Sequence, residues 1–339
     1  MKQFRFGRTN LMVSHSGFGA LPIQRVSFEE AAALLRRAYE AGINFFDTAN
    51  MYSDSEAKIG AALSDVRGNI MIATKTMLAG PERMMKNLEN SLKMMKTDYV
   101  DLLQLHNPDR VPMPGDEDGA YEMLLQAKRQ GKVRFIGVTN HRLRLAKQAV
   151  ESGHYDSLQF PLSVLSSDAD LGLSDLCKRH DIGLIAMKAM SGGLVRSGKI
   201  AFAFLSQYDN ILPIWGVQRM SELEEFLSCE ANPPELNAET RAVIDEDRSA
   251  LKGAFCRGCG YCLPCPANIP IPTAARLSLL MARSPAKPFL GKEWQAEMDK
   301  IDECTACRHC SQNCPYGLDT PKLLKEEKIK YDKALAALA

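Results

Sequence analysis

The sequence predicts an α/β chain: an eight-stranded (β/α)8 TIM barrel followed by an all-helical domain built to carry iron and sulfur. Three observations predict it. Short apolar or β-branched runs alternate with longer amphipathic stretches from the start to about Leu227, the pattern of a parallel sheet wrapped by helices. The alternation stops at Asn232, Pro233 and Pro234, a breaker. Beyond it lie eight of the chain's 10 cysteines, in two closely spaced runs.

Taken in order, strand-like runs cover residues 11–18, 44–47, 70–75, 99–105, 135–138, 157–160, 182–187 and 211–215. Between them, residues 28–41, 83–95, 119–130, 143–152 and 221–227 carry apolar side chains at helical spacing. Eight such units close into a barrel. A doubly wound sheet is the alternative, but the GxGxxG turn that marks its dinucleotide site is absent. The domains therefore divide into a barrel over 1–231 and a helical domain over 232–339, whose helices are expected at 235–252, 273–281, 294–301 and 321–338 around the cysteine runs.

Composition narrows the function. With 339 residues, 45% of them hydrophobic, and a net charge of +1, the chain has the size for a large domain plus a small one and lacks the charge of a nucleic-acid binder. No apolar run approaches the roughly 20 residues of a membrane helix, and the N-terminus MKQFRFGRTN has no apolar signal region. A cytoplasmic protein, with neither membrane nor nucleic acid as partner, is expected.

The cysteine runs are Cys256, Cys259, Cys262 and Cys265 followed by Pro266, and Cys304, Cys307, Cys310 and Cys314 followed by Pro315. The second, CTACRHCSQNCP, has the CxxCxxCxxxCP spacing by which bacterial ferredoxins hold [4Fe–4S] clusters; the first is one residue shorter before its last cysteine. By the ferredoxin rule that the fourth cysteine serves the other cluster, Cys256, Cys259, Cys262 and Cys314 hold one, and Cys304, Cys307, Cys310 and Cys265 the second. A single cluster on Cys304, Cys307, Cys310 and Cys314 is the alternative, and two four-cysteine zinc sites are the rival. Cys177 and Cys229 read as packing residues.

In a TIM barrel the reacting groups sit where the strands end. Asp47 closes the second strand in NFFDTA, Tyr52 comes next in the loop, Lys75 closes the third in MIATK, and His106 closes the fourth in LLQLH. Each alone is more often a local hydrogen-bonding residue. Together on three successive units they suit carbonyl reduction by hydride, which needs a proton donor for the developing alkoxide. An ammonium at Lys75, held by Asp47, is expected to lower the pKa of the Tyr52 phenol, while His106 donates to the carbonyl oxygen. A Schiff-base lysine would leave Tyr52 without a role.

These four residues, in DTANMY, ATK and LQLH, resemble the tetrad of the aldo-keto reductase family over roughly the first two-thirds of the chain. The cysteine-bearing tail resembles the branch of that family with a helical ferredoxin-type domain. The resemblance implies a nicotinamide cofactor. It places Gly19 and Ala20 in the cofactor site, Thr139, Asn140 and Gln159 on the carboxamide, and Met187 where many members stack an aromatic ring. Gly216, Val217 and Gln218 fall beside the phosphate and ribose, and Glu225 near adenine. Gly192 and Gly193 suit either a pyrophosphate approach or a turn. Glu222 stands where the family commonly has an arginine for the 2′-phosphate of NADP, and Phe226 where it commonly has an asparagine; with Arg219 able to compensate, NADP and NAD both stay open.

Hydride carries two electrons and a [4Fe–4S] cluster commonly passes one at a time, so a flavin bridge is conceivable, although no flavin signature is readable. Three functions fit: an NAD(P)H-dependent reductase of a small-molecule carbonyl compound coupled to clusters that serve a redox partner protein; an electron-transfer protein whose barrel is a docking body; or a reductase with a purely structural metal tail.

Overall fold

The computed structural model describes residues 1–251, 255–282 and 286–337. The helix ends expected at Lys252 and Leu338 lie outside the described residues. The chain forms two compact units, one of Met1–Ala189 with Gly198–Asn237, the other of Met190–Ser197 with Ala238–Ala339.

The first unit opens with an antiparallel pair, β1 (Gln3–Arg5) and β2 (Met12–Ser14). The barrel comes next: β3 (Gly17–Gly19), β4 (Phe45–Asp47), β5 (Met71–Thr76), β6 (Val100–His106), β7 (Val133–Thr139), β8 (Ser157–Pro161), β9 (Gly183–Met187) and β10 (Ile211–Gly216). These eight strands close into a ring in chain order, every neighbour parallel, with β10 returning to β3.

The single run expected over 11–18 is thus two strands of different sheets. Ser14 ends the first: its hydroxyl donates to the Ser16 carbonyl at 2.7 Å and its N–H to the Asn44 side chain at 2.7 Å, which turns the chain from the hairpin into the barrel. The partner strand β1 escaped the sequence reading because three residues carry too little alternation to register. Just past β1 the chain sets an aromatic plug. Phe6 lies in one buried cluster with Phe45, the first residue of β4, their ring centroids 5.8 Å apart. A Cβ on Gly183, the first residue of β9, would sit 2.5 Å from the Phe6 ring. The plug fills the floor of the barrel, the end opposite the one where TIM barrels work.

Helices cover the outside. Phe28–Glu40 begins at a Ser27/Glu30 capping box and buries Ala31, Leu34, Leu35 and Ala38, one stripe at helical spacing. Ser55–Leu63 and Gly198–Leu205 are helices that the amphipathic pattern did not announce, because both are buried on nearly every face. At Gly60 a side chain would lie 2.4 Å from the Met94 carbonyl, so the helix Ser55–Leu63 meets Pro81–Met95 at backbone distance.

The second unit is helical among its described residues, from Ala238–Ala250 to Thr320–Ala336. The helix expected over 273–281 is two short ones, Ile271–Ala274 and Leu277–Met281, broken at Arg276. Pro266 and Pro315 come directly after the two cysteine runs, where neither donates a backbone hydrogen bond that would extend a helix.

Candidate active site and cysteine-lined cavities

Strand register assembles the candidate site. Gly216 pairs with Gly19, Gly19 with Asp47, Lys75 with Gln104, His106 with Thr139, Thr139 with Gln159, and Pro161 with Met187. Residues from all eight strands therefore meet at one rim, the carboxyl ends, as barrel closure demands.

At its centre Lys75 Nζ donates to Asp47 Oδ2 at 2.6 Å and to the Thr48 carbonyl at 2.6 Å, with both side chains almost wholly buried. Burial pushes the Asp47 carboxyl up and the Lys75 ammonium down, and the attraction between them opposes both shifts. Tyr52 lies above this pair, its ring centroid 5.2 Å from Lys75 Nζ. His106 meets Tyr52 edge to face, with centroids 5.9 Å apart.

The phenol departs from the expectation. Burial, then the charge of Asp47, pushes its pKa up, not down. The largest cause is burial of the phenol itself, and the charge of Asp47 adds to it, while Lys75 spends its own charge on Asp47 and the Thr48 carbonyl. Tyr52 is thus a fully protonated acid in the resting site. Burial, then Lys75, pushes the His106 imidazole down to about 3, which leaves it neutral near pH 7 with one N–H to donate.

Gln104 is a site residue that the sequence reading missed. Its amide nitrogen donates to Gln159 Oε1 at 2.8 Å and reaches Asp47 Oδ1 at 3.4 Å, which ties the ion pair to the position expected to hold a carboxamide. Its buried Oε1 finds no partner among the described residues. The signal was available, since Gln104 and His106 are two apart on one strand and share a face. Glu56 was missed too: buried, it accepts from Thr74 Oγ1 at 2.6 Å, and burial pushes its carboxyl up.

The residues expected to hold the cofactor are committed to the fold in differing degrees. Ala20 N–H donates to the Asp47 carbonyl at 2.8 Å, and a Cβ on Gly19 would press on the Trp215 backbone at 3.2 Å. Thr139 Oγ1 accepts from the Asn107 N–H at 3.0 Å; Asn140 donates to the Pro108 carbonyl at 2.9 Å and accepts from the Arg142 N–H at 2.8 Å. One amide proton and one lone pair of Asn140 stay uncommitted by these bonds. Met187 is half-buried at the end of β9, and Gly216 is exposed at the end of β10. Glu222 accepts from the N–H groups of Gln218 (2.9 Å) and Arg219 (3.2 Å), capping the helix Met220–Ala231. Glu225 is exposed on that helix, whereas Phe226 is buried and stacks on Trp215 at 4.3 Å. Phe226 is core and presents nothing to an adenine. The close approach at Gly192 is made by Arg276, whose Nη1 would lie 2.7 Å from an added Cβ.

In the second unit the eight cysteines line two cavities. One has Cys262, Cys265, Cys304, Cys307 and Cys310 in its wall; the other has Cys256, Cys259, Cys262, Cys310 and Cys314. The last cysteine of each run thus faces the cavity of the other run, and Cys262 and Cys310 form the shared wall. Among the described residues no three His, Cys, Asp or Glu side chains converge tightly enough for a single ion. Burial pushes the Cys262 thiol up to about 12, so a cation must compensate its ionisation.

Comparison with known proteins gives consistent findings. The model of the aldo/keto reductase family matches residues 15–202, and that of a 4Fe-4S dicluster domain matches residues 255–319. A methylglyoxal reductase of Salmonella typhimurium is 31% identical over 248 residues, 68% of this chain and 90% of that protein. L-galactose dehydrogenase of Arabidopsis thaliana is 29% identical over 208 residues, 56% of this chain; the match spans 65% of the plant enzyme's length. The solved aldo-keto reductase of Bacillus halodurans superposes with a TM-score of 0.63 at 21% identity, covering 73% of this chain and 96% of that one.

Proposed function

The chain belongs to the aldo/keto reductase family, and from that premise we propose that it reduces a small carbonyl compound with NADPH or NADH and carries two [4Fe–4S] clusters on its C-terminal cysteines. The observation that carries the reduction is the buried Lys75–Asp47 pair at 2.6 Å lying beneath Tyr52 and beside His106. It supports a proton donor and a carbonyl-orienting donor on one rim.

The bound nicotinamide supplies hydride, and a bound cluster exchanges single electrons. The residues present fit both groups: Gln159, Asn140 and the open Oε1 of Gln104 offer polar atoms for an amide, and two cavities share the eight cysteines. In this reading neutral His106 donates its N–H to the substrate oxygen and fixes the carbonyl's direction. Tyr52 delivers its proton as negative charge builds on that oxygen. A phenol of raised pKa holds its proton until an alkoxide, a still stronger base, develops. Lys75 and Asp47 keep the floor of the site charged yet balanced, and Gln104 carries their orientation to Gln159.

We read the chain as a barrel over 1–231 and a cluster domain over 232–339, since Asn232 ends the helix Met220–Ala231 and two prolines come after it. Among the described residues no helix is long and apolar enough to cross a membrane. A reducing cytoplasm suits eight thiolate ligands, and a soluble redox protein is the partner the clusters would serve. The cavity walls support crossed ligation, Cys256, Cys259 and Cys262 with Cys314, and Cys304, Cys307 and Cys310 with Cys265. A single zinc ion at each site would instead draw four sulfurs to about 2.3 Å of one point.

Anaerobic purification with iron and sulfide analysis tests the clusters, with about eight of each per chain expected. Turnover of methylglyoxal and other small carbonyl compounds with NADPH and with NADH tests the barrel. Tyr52→Phe should lower carbonyl reduction by on the order of a hundredfold or more while nicotinamide binding, monitored by fluorescence, is spared. Undiminished turnover in that variant would overturn the proton-donor assignment.

A further inference from the structure

One buried charge in the second unit has no part in the proposed reduction. Arg276 sits at the break between Ile271–Ala274 and Leu277–Met281 and is 8% exposed. Its Nε donates to the Pro272 carbonyl at 2.8 Å and its Nη1 to the Ser191 carbonyl at 3.3 Å. Two glycines of positive φ make room for it. An added Cβ would lie 2.7 Å from its Nη1 at Gly192 and 2.6 Å from its Cζ at Gly258. The guanidinium is therefore wedged between the segment Met190–Ser197 and the loop that bears Cys256 and Cys259.

Its electrostatic surroundings are equally specific. Burial pulls the pKa of the guanidinium down, the two cysteines that flank Gly258, Cys256 and Cys259, oppose that shift, and no carboxylate pairs with it among the described residues. Carbonyl oxygens satisfy its donors without neutralising it, and a buried charge left without an anion is costly. Arg257, in the wall of the cavity of Cys256 and Cys259, is only half-buried and lies over the Phe255 ring, and Arg308, in the wall of the other cavity, is 68% exposed and pairs with Asp319 at 3.5 Å, so among the described residues Arg276 is the buried guanidinium beside a cysteine run. A cluster with its four thiolates is a net anion that gains a further negative charge on reduction. A fixed positive charge nearby favours the reduced form, and net charge is among the quantities that set cluster potentials.

Resting on the two-cluster reading, we propose that Arg276 is a positioning residue for the cluster of Cys256, Cys259, Cys262 and Cys314. It pins the loop at Gly258 to the segment at Ser191 and supplies the countercharge that makes this cluster easier to reduce. The two clusters are thereby made unequal.

The test is a potentiometric titration of the anaerobically prepared full chain, monitored by the paramagnetic resonance of the reduced clusters. In Arg276→Gln, iron and sulfide should stay near the native content and one reduction step should move to more negative potential. At that step's native midpoint, the reduced-to-oxidised ratio should fall by on the order of tenfold, with the other step unmoved. Arg276→Lys, which keeps the charge, should restore most of the shift. Both steps unmoved or both moved equally in a chain with native iron would overturn this inference alone, as would loss of one cluster in the Gln and Lys variants alike. Iron near four per native chain, or zinc in its place, would overturn the two-cluster reading and this inference with it.

Discussion

At the scale of the residue, Lys75 shows why a charge is kept where burial penalises it. Its partner Asp47 is buried to 2% exposure, so removing the ammonium strands a carboxylate in the core. Lys75→Met should cost about 3–5 kcal/mol, measured by denaturant unfolding, and Asp47→Asn on top of it should recover part of that loss. His106 gives a pH signature. Its pKa falls from 6.5 to about 3 on folding, so between those values only the unfolded chain binds that proton. Stability is full above about pH 6.5 and drops as the pH falls toward 3, by at most about 1.4 kcal/mol per pH unit. His106→Asn should flatten that slope; an unchanged slope would mean that the imidazole is not held neutral. The tetrad's residues were legible because each closes a strand or lies just past one. The direction of the Tyr52 shift was not, because it depends first on how deeply the fold buries the phenol and then on the charge of Asp47, which spacing cannot reveal.

At the scale of the element, the cap of the helix Met220–Ala231 conflicts with the cofactor site proposed for its first turn. Glu222 caps it by accepting from the N–H groups of Gln218 and Arg219, and that same carboxylate stands where the family's arginine for a 2′-phosphate is expected. Glu222→Arg should lose about 1 kcal/mol of stability with the cap while strengthening NADPH binding relative to NADH. Parallel titrations of the two cofactors check it, and an unchanged affinity ratio would remove residue 222 from the phosphate site. The element scale also explains what the sequence hid. Strands of the barrel announced themselves by apolar runs, and five of its helices by amphipathic period. Gly198–Leu205 is apolar almost throughout, and Ser55–Leu63 buries even Glu56 and Lys58, so neither shows the polar stripe that betrays a surface helix. Phe226, at the position where the family commonly has an asparagine, belongs to the stack on Trp215; a family position fixes where a residue falls along a helix but not which way it turns.

At the scale of the whole molecule, chain connectivity joins hydride chemistry to the clusters. The segment Met190–Ser197 packs as part of the cysteine-bearing unit, yet the chain enters it directly from Met187, Lys188 and Ala189 at the end of β9 and leaves it into the barrel helix Gly198–Leu205. Metal ligation supplies folding free energy to small metal-bearing domains, so stripping iron should loosen the second unit and free this segment with it. The barrel has its own closed sheet and buried core and should survive. Iron removal by an anaerobic chelator should therefore lower helix content by far-ultraviolet circular dichroism and leave one cooperative thermal transition for the barrel. It should also weaken nicotinamide binding, since the end of β9 loses the anchored segment that continues it. A purely structural tail predicts the same loss of helix but an affinity restored by any metal that refolds the unit, zinc included. Restoration by iron and sulfide of both affinity and cluster reduction by NAD(P)H, its two electrons shared one to each cluster, with zinc restoring affinity alone, would separate a working pair of clusters from a scaffold. Equal behaviour of the two metals in both measurements would assign the cysteine-bearing unit to structure only.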